Sequence, residues 1–134
     1  MKSSLVFVVD KNPTHRNLIK YNLESNKLTR VQAFPSGEEC LIQLKKNILP
    51  DFIIASYFSG SHSGFDFLRC VLEISPSVRV IFFDTFEDPG LAEKLLDAGA
   101  CDYVVKTGNP DAGISALLKN VRYLVRENVL AGEQ

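Results

Sequence analysis

The sequence predicts a doubly wound α/β sandwich: three layers, with a five-stranded parallel sheet between two layers of helices, five helices in all. Three observations lead there. Short apolar runs that read as strands alternate five times with stretches of helical period. Strands alternating with helices imply a parallel sheet reached by right-handed crossovers. The first, third and fourth runs have little polar alternation, the mark of strands buried on both faces. The length, 134 residues, suits one domain able to bury about two-thirds of its unfolded surface.

The strand-like runs are Leu5–Val9, Thr29–Phe34, Asp51–Ala55, Val78–Phe83 and Asp102–Val105. Between them apolar residues recur at helical spacing. Leu18, Ile19, Tyr21 and Leu23 follow the first strand, and Cys40, Leu41, Leu44 and Ile48 the second. Phe65, Leu68, Val71 and Leu72 follow the third, and Leu91, Leu95 and Leu96 the fourth. Ile114, Leu117, Leu118, Val121, Leu124 and Val125 make the last helix. Asn12-Pro13, Asp88-Pro89 and Asn109-Pro110 each pair an N-cap residue with proline at the first helical position, where its missing N–H costs nothing. Ser36-Gly37-Glu38-Glu39 reads as a capping box. Gly99, in LLDAGA, is placed to close the fourth helix. After Arg126 the tail loses its period, so a domain over residues 1–127 and a frayed tail or linker over 128–134 are expected.

The totals exclude several classes. At 46% hydrophobic and 23% charged the chain is globular, not disordered. A net charge of −1 gives no electrostatic case for nucleic acid or membrane surface. The apolar runs are too short to span a bilayer, and MKSSLVFVVD reads as a strand and not a signal peptide. Three widely spaced cysteines (Cys40, Cys70, Cys101) with no CxxC suit neither a disulfide framework nor zinc. They read as small hydrophobes in a reducing cytoplasm, the expected location.

In open α/β sheets, ligands and chemistry gather outside the carboxyl ends of the strands. That rule selects Asp10-Lys11, Ser56, Asp84-Thr85 and Lys106. Other chemistries suggested by these stretches are incomplete. DKNPT (Asp10–Thr14) is one residue from the DxDxT of haloacid-dehalogenase-type phosphatases, but Asn12 cannot replace the second Asp as acid/base. Ser56 lacks the G-x-S-x-G setting of a hydrolase nucleophile, and His62 lies in a small polar loop. The run Ser59–Gly64, SGSHSG, lacks the context of a dinucleotide fingerprint and reads as a mobile loop. His15, in the first turn of helix 1, has no partner at metal-ligand spacing and is expected to face solvent. No enzymatic activity is expected.

Taken together, VFVVDKNPTHRNLIKYNL, PDFIIASYFSGSHSGFDFL, VRVIFFDTFEDP and DAGACDYVVKTGNP resemble the receiver domain of two-component response regulators (CheY-like), from about Leu5 to Arg126. The resemblance implies a flavodoxin-like sheet in the order 2-1-3-4-5. It also implies a pocket in which two acidic residues after strand 1 and an Asp ending strand 3 bind Mg²⁺. That Asp takes a phosphoryl group from a histidine kinase. A Thr or Ser ending strand 4 and a Lys ending strand 5 hold the phosphoryl oxygens, and an aromatic on strand 5 reports the state. Here Asp10 matches the first acidic residue, Lys11 stands for the second, and Ser56 for the phosphoacceptor. Asp84 stands for the Thr/Ser, with Thr85 following; Lys106 and the aromatic Tyr103 are kept, and Thr107 replaces the usual proline.

The family pocket has three carboxylates and one lysine, formally −2. Here Asp10 and Asp84 balance Lys11 and Lys106, formally zero. A divalent cation prefers several carboxylate oxygens, and a lysine at the metal position repels it by about 4 kcal/mol at contact with an effective dielectric of about 20. Mg²⁺ binding is therefore expected to be lost, and no cofactor takes its place. A serine alcohol is a poor nucleophile without an adjacent base. Asp84 is expected to pair with Lys106 or with Lys11. A cis bond before Thr107 would cost about 2.5–4 kcal/mol, so the loop at Lys106–Asn109 is expected to be all-trans.

The expected function is a degenerate receiver (pseudo-receiver) in phosphorelay signalling, acting by protein–protein contact. Its partner would be an output domain, a kinase or a second copy, giving a monomer or weak homodimer. The face receivers use corresponds here to Glu93, Lys94 and Asp97 on helix 4, Tyr103 on strand 5, and Lys119, Arg122 and Tyr123 on helix 5. A mixed-charge rim around aromatics suits protein contact, as it also suits an ordinary solvated surface. Two alternatives are the N-terminal regulatory receiver of a larger DNA-binding transcription regulator, and a flavodoxin-like binder of a small ligand in the strand-end crevice.

Overall fold

A computed structural model describes residues 4–25, 29–57, 63–84, 88–105 and 115–123. The elements run β1 (Ser4–Val9), α1 (Pro13–Glu24), β2 (Thr29–Phe34), α2 (Gly37–Lys45), β3 (Phe52–Ala55), α3 (Gly64–Ile74), β4 (Arg79–Asp84), α4 (Pro89–Asp97) and β5 (Asp102–Val105). Residues 115–123 form a further helix, α5. The sheet order is β2-β1-β3-β4-β5, every neighbouring pair parallel. The expected order and class are therefore the observed ones, and the strand limits agree to within a residue.

Burial explains the order. β3 is buried throughout and β4 at all but its end residues, while β2, at an edge, alternates. One layer packs Cys40, Leu41 and Leu44 of α2, Phe67, Leu68 and Val71 of α3 and Leu95 of α4 on Phe7, Ile53 and Phe82. The other packs Ile19 and Leu23 of α1 and Leu117 and Val121 of α5 on Val6, Val8, Ile54 and Ile81. Alternate residues of the same central strands thus feed opposite layers, as the period of two demands.

The helix starts follow local chemistry. The Asn12 side chain accepts from the Thr14 and His15 N–H groups, and the Asp88 carboxylate from Leu91 N–H at 3.1 Å. Ser36 Oγ accepts from Glu39 N–H at 3.3 Å. Gly99 follows α4 with φ +114°, a left-handed conformation that glycine adopts without a Cβ penalty.

Several expectations need correction. Tyr21 is 76% exposed and Leu96 44% exposed; each shares its helix with buried residues but lies outside the apolar stripe. α2 ends at Lys45, and Asn47 (φ 65°) turns the chain, so Ile48 lies beyond the helix and is exposed. His15 is partly buried, retaining some exposure in the first turn of α1. Ser63 and Gly64 are not loop: Ser63 caps α3, its Oγ accepting from Asp66 N–H. The Asn109-Pro110 cap, the rest of the SGSHSG run with His62, Ile114, Leu124, Val125 and the tail lie outside the described residues.

Candidate functional site

The parallel register brings the C-terminal ends of β1, β3 and β4 side by side. Val9 pairs with Ala55, and Ala55 with Phe82. Asp10 and Ser56 are the residues that follow these adjacent strands, and the Ser56 N–H extends the ladder by donating to Val9 O at 3.0 Å.

Asp10 is buried at 4% exposure. Its Oδ1 accepts from Asn12 N–H at 2.9 Å, and its carbonyl accepts from the Arg16 guanidinium at 2.8 Å. The carboxylate thus closes the turn into α1 while Arg16, one turn along the helix, clamps its backbone. Lys11 is exposed. Among the described residues the ion pairs are Lys20–Glu24 and Asp66–Arg69, so Lys11 forms none with Asp84. An exposed ammonium keeps its hydration, and pairing at a wet surface adds little. The alternative partner, Lys106, lies outside the described residues, as do Thr85 and the loop from Thr107.

Asp84, the last residue of β4, is half-buried, and its Oδ2 accepts from Tyr57 N–H at 2.7 Å. That is a charge-assisted length. The bond joins the end of β4 to the residue after Ser56, whose own Oγ is buried. The Tyr57 ring stands edge-on to Phe65, centroids 6.0 Å apart, and tilts against Phe82 at 6.4 Å. It lies so close to Gly64 that a Cβ there would overlap the ring.

Tyr103 is half-buried against the α2–α3–α4 layer. Burial, then the negative charge of Asp84 and of Asp88, then Tyr57, push its phenol up to about 12. Beneath it, Asp102 Oδ2 accepts from Asn120 Nδ2 at 2.6 Å, tying α5 to the edge strand. Glu93, Lys94 and Asp97 on α4 and Lys119, Arg122 and Tyr123 on α5 are all exposed. They flank β5 from the two layers of the sandwich. Of the cysteines, all free, Cys40 is buried, which pushes its thiol up to about 12. Cys101 is exposed as a residue, yet its thiol is tucked in far enough for burial to raise its pKa, opposed by Arg79 and assisted by Asp102.

Among the described residues no three His, Cys, Asp or Glu side chains cluster, and Asp10 and Asp84 each commit an oxygen to a backbone N–H. Sequence reasoning selected both aspartates but missed their partners Asn12, Arg16 and Tyr57. A backbone N–H leaves no mark in a sequence. Only Asn12, as a cap, carried a signal.

With this fold and this arrangement of strand ends, the comparisons with known proteins agree. The family model of the response regulator receiver domain matches residues 6–118, and the chain belongs to that family, the receivers of two-component signalling. Among curated relatives, the transcriptional activator protein ExaE of Pseudomonas putida is 31% identical over 113 residues, 84% of this chain and 52% of ExaE. A protein-glutamate methylesterase/protein-glutamine glutaminase of Geobacter sulfurreducens is 28% identical over 91% of this chain and 32% of its own length. The chain thus spans about half or less of these relatives. Among solved structures, the receiver domain of Francisella response regulator 1452 superposes with a TM-score of 0.81 at 20% identity, over 94% of this chain and 99% of that one. The response regulator domain of Thermotoga maritima CheB does so at 0.80 and 22%, over 93% and 98%.

Proposed function

We propose that this chain is a pseudo-receiver: a receiver that signals by protein–protein contact, without phosphoryl transfer and without Mg²⁺. The observation that carries the reading is the end of β3. An alcohol, Ser56, stands there with a buried Oγ, and the carboxylates beside it are engaged by backbone N–H groups. A serine cannot form an acyl phosphate, and without a neighbouring base it is a weak nucleophile. The exposed rim of α4 and α5 around Tyr103 is the proposed contact face, with Lys94, Asp97, Lys119, Arg122 and Tyr123 as its polar and aromatic components. Its partner is a kinase, an output domain or a second copy. The near-neutral chain has no case for direct nucleic-acid or membrane contact and is proposed to act in the cytoplasm without enzymatic activity of its own.

One observation favours a second reading. The similarity to ExaE, named a transcriptional activator, covers about half of that protein. The chain would then be the regulatory receiver of a larger DNA-binding regulator. The two readings share the pocket and differ in what the α4–β5–α5 face touches.

Incubation with radiolabelled acetyl phosphate and Mg²⁺ tests the main claim. No stable label is expected. Stoichiometric incorporation that survives acid and is lost in base would sink it.

A further inference from the structure

The phosphorylation-independent reading rests on what Ser56 cannot do; the structure carries a second, separate point about Asp84. We propose that the Asp84 carboxylate is the resident anion of the strand-end crevice, holding the Tyr57 N–H and closing the crevice to phosphoryl groups whatever residue stands at 56. This deepens the proposed function and rests on it for the identity of the site, but not for the outcome of its test.

The Tyr57 N–H is the first donor beyond the β1–β3 ladder, which ends where Ser56 N–H meets Val9 O. Ligands of open α/β sheets sit outside the carboxyl ends of the strands, so a backbone donor in that place is open to an anion unless an acceptor of the fold takes it. Asp84 Oδ2 already takes it, at 2.7 Å. One N–H does not serve two anions at full strength, and a second anion at contact with a carboxylate is repelled.

Nor is the donor free to turn elsewhere. The Tyr57 ring is seated over Gly64, where even a methyl group would overlap it, and is braced by Phe65 and Phe82. Rotating the peptide would drag the ring off the first turn of α3. Asp84 therefore positions three things together: the exit of β3, the start of α3 through Tyr57, and the charge facing Tyr103. The role assigned to Asp84 is positioning and exclusion.

The test restores the acidic residues around Asp84. In K11D/S56D, a carboxylate at 56 can attack the phosphorus of acetyl phosphate, forming an acyl phosphate and expelling acetate. With Mg²⁺ and radiolabelled acetyl phosphate, K11D/S56D/D84T is expected to take at least about tenfold more label than K11D/S56D, as loss of a charge-assisted competitor implies. D84N in the same background, nearly isosteric with the native side chain, guards against misfolding and is expected to fall between. Equal labelling with and without Asp84, or no label in any of these variants, overturns the proposal and leaves the proposed function standing. Label on the unaltered chain would instead overturn the proposed function. A second readout needs no restored chemistry. In amide spectra, Tyr57 of D84A should shift on titration with inorganic phosphate while Tyr57 of the native chain stays still; a native Tyr57 that shifts as far also overturns the assignment.

Discussion

At the N-terminal end of the sheet, Asp51 and Asp102 accept hydrogen bonds from the Leu5 N–H (2.9 Å), the Tyr103 N–H (2.8 Å) and the Asn120 amide (2.6 Å). At the C-terminal end, Asp10 and Asp84 accept from the Asn12 N–H (2.9 Å) and the Tyr57 N–H (2.7 Å). The chemistry is the same, an aspartate satisfying backbone donors. The setting differs. The lower pair binds regular elements: Leu5 and Tyr103 lie within strands, and Asn120 on α5. The upper pair binds N–H groups just outside the strands, where the chain turns away and where a receiver presents its chemistry. A carboxylate at a strand end is thus no sign of a site by itself. What matters is whether the donor it satisfies would otherwise belong to the fold or to a ligand.

The comparison can be broken from below. Phe82→Ala removes a fully buried ring that supports Tyr57. It should cost about 3–5 kcal/mol in denaturant unfolding and loosen the upper end first, seen as faster exchange of the Tyr57 amide than of the Leu5 amide. Gly64→Ala pushes a methyl group into the Tyr57 ring. A cost of about 1–3 kcal/mol follows from overpacking, with the Tyr57 amide displaced; an unmoved amide would mean that the ring escapes without disturbing the Asp84 bond. Asp51→Ala strips the acceptor from a partly buried N–H at the lower end and should cost about 1–2 kcal/mol. It should leave the Tyr57 and Asn12 amides where they are, because Asp51 lies at the opposite end of β3 from Tyr57 and its acceptor serves the start of β1, not its exit.

The smallest effect is read in alkali. The Tyr103 phenol, near 10 in the unfolded chain, is raised to about 12 in the fold by burial, then by Asp84, Asp88 and Tyr57. The folded state therefore holds its proton where the unfolded state has lost it. This contribution to stability is intact below about pH 10 and is lost as pH rises through about 12. Spectrophotometric titration should show one phenol fewer ionising near pH 12 in Tyr103→Phe. Asp84→Asn should move that ionisation downward; an unchanged midpoint would place Asp84 electrically apart from Tyr103.

The alternation of strands and helices, the order of the sheet and the caps at Asn12, Ser36 and Asp88 were legible because each rests on residue type at short spacing. The C-terminal strand ends were legible for a similar reason, once topology placed them together. Tyr21 and Leu96 misled because an apolar side chain within a helical period need not lie on the stripe that meets the sheet. Ser63 was hidden in SGSHSG because serine and glycine suit a loop as well as a cap. Which donors Asp10, Asp51 and Asp84 would meet could not be read at all, since any backbone N–H has the same chemistry.

From the chain alone came the class of fold, the family, and the identities of the strand-end residues, a serine at 56 and a lysine at 11 among them. Those are matters of identity and spacing, and no packing can alter them. Three-dimensional packing decided which backbone donors Asp10 and Asp84 meet. Asp84 meets Tyr57 across 27 positions of sequence because β3 and β4 are adjacent and in register. The ring of Tyr57 in turn finds room only because position 64 carries no side chain. Contacts of that kind depend on where strands end in space, and the sum of local preferences along a chain does not contain them.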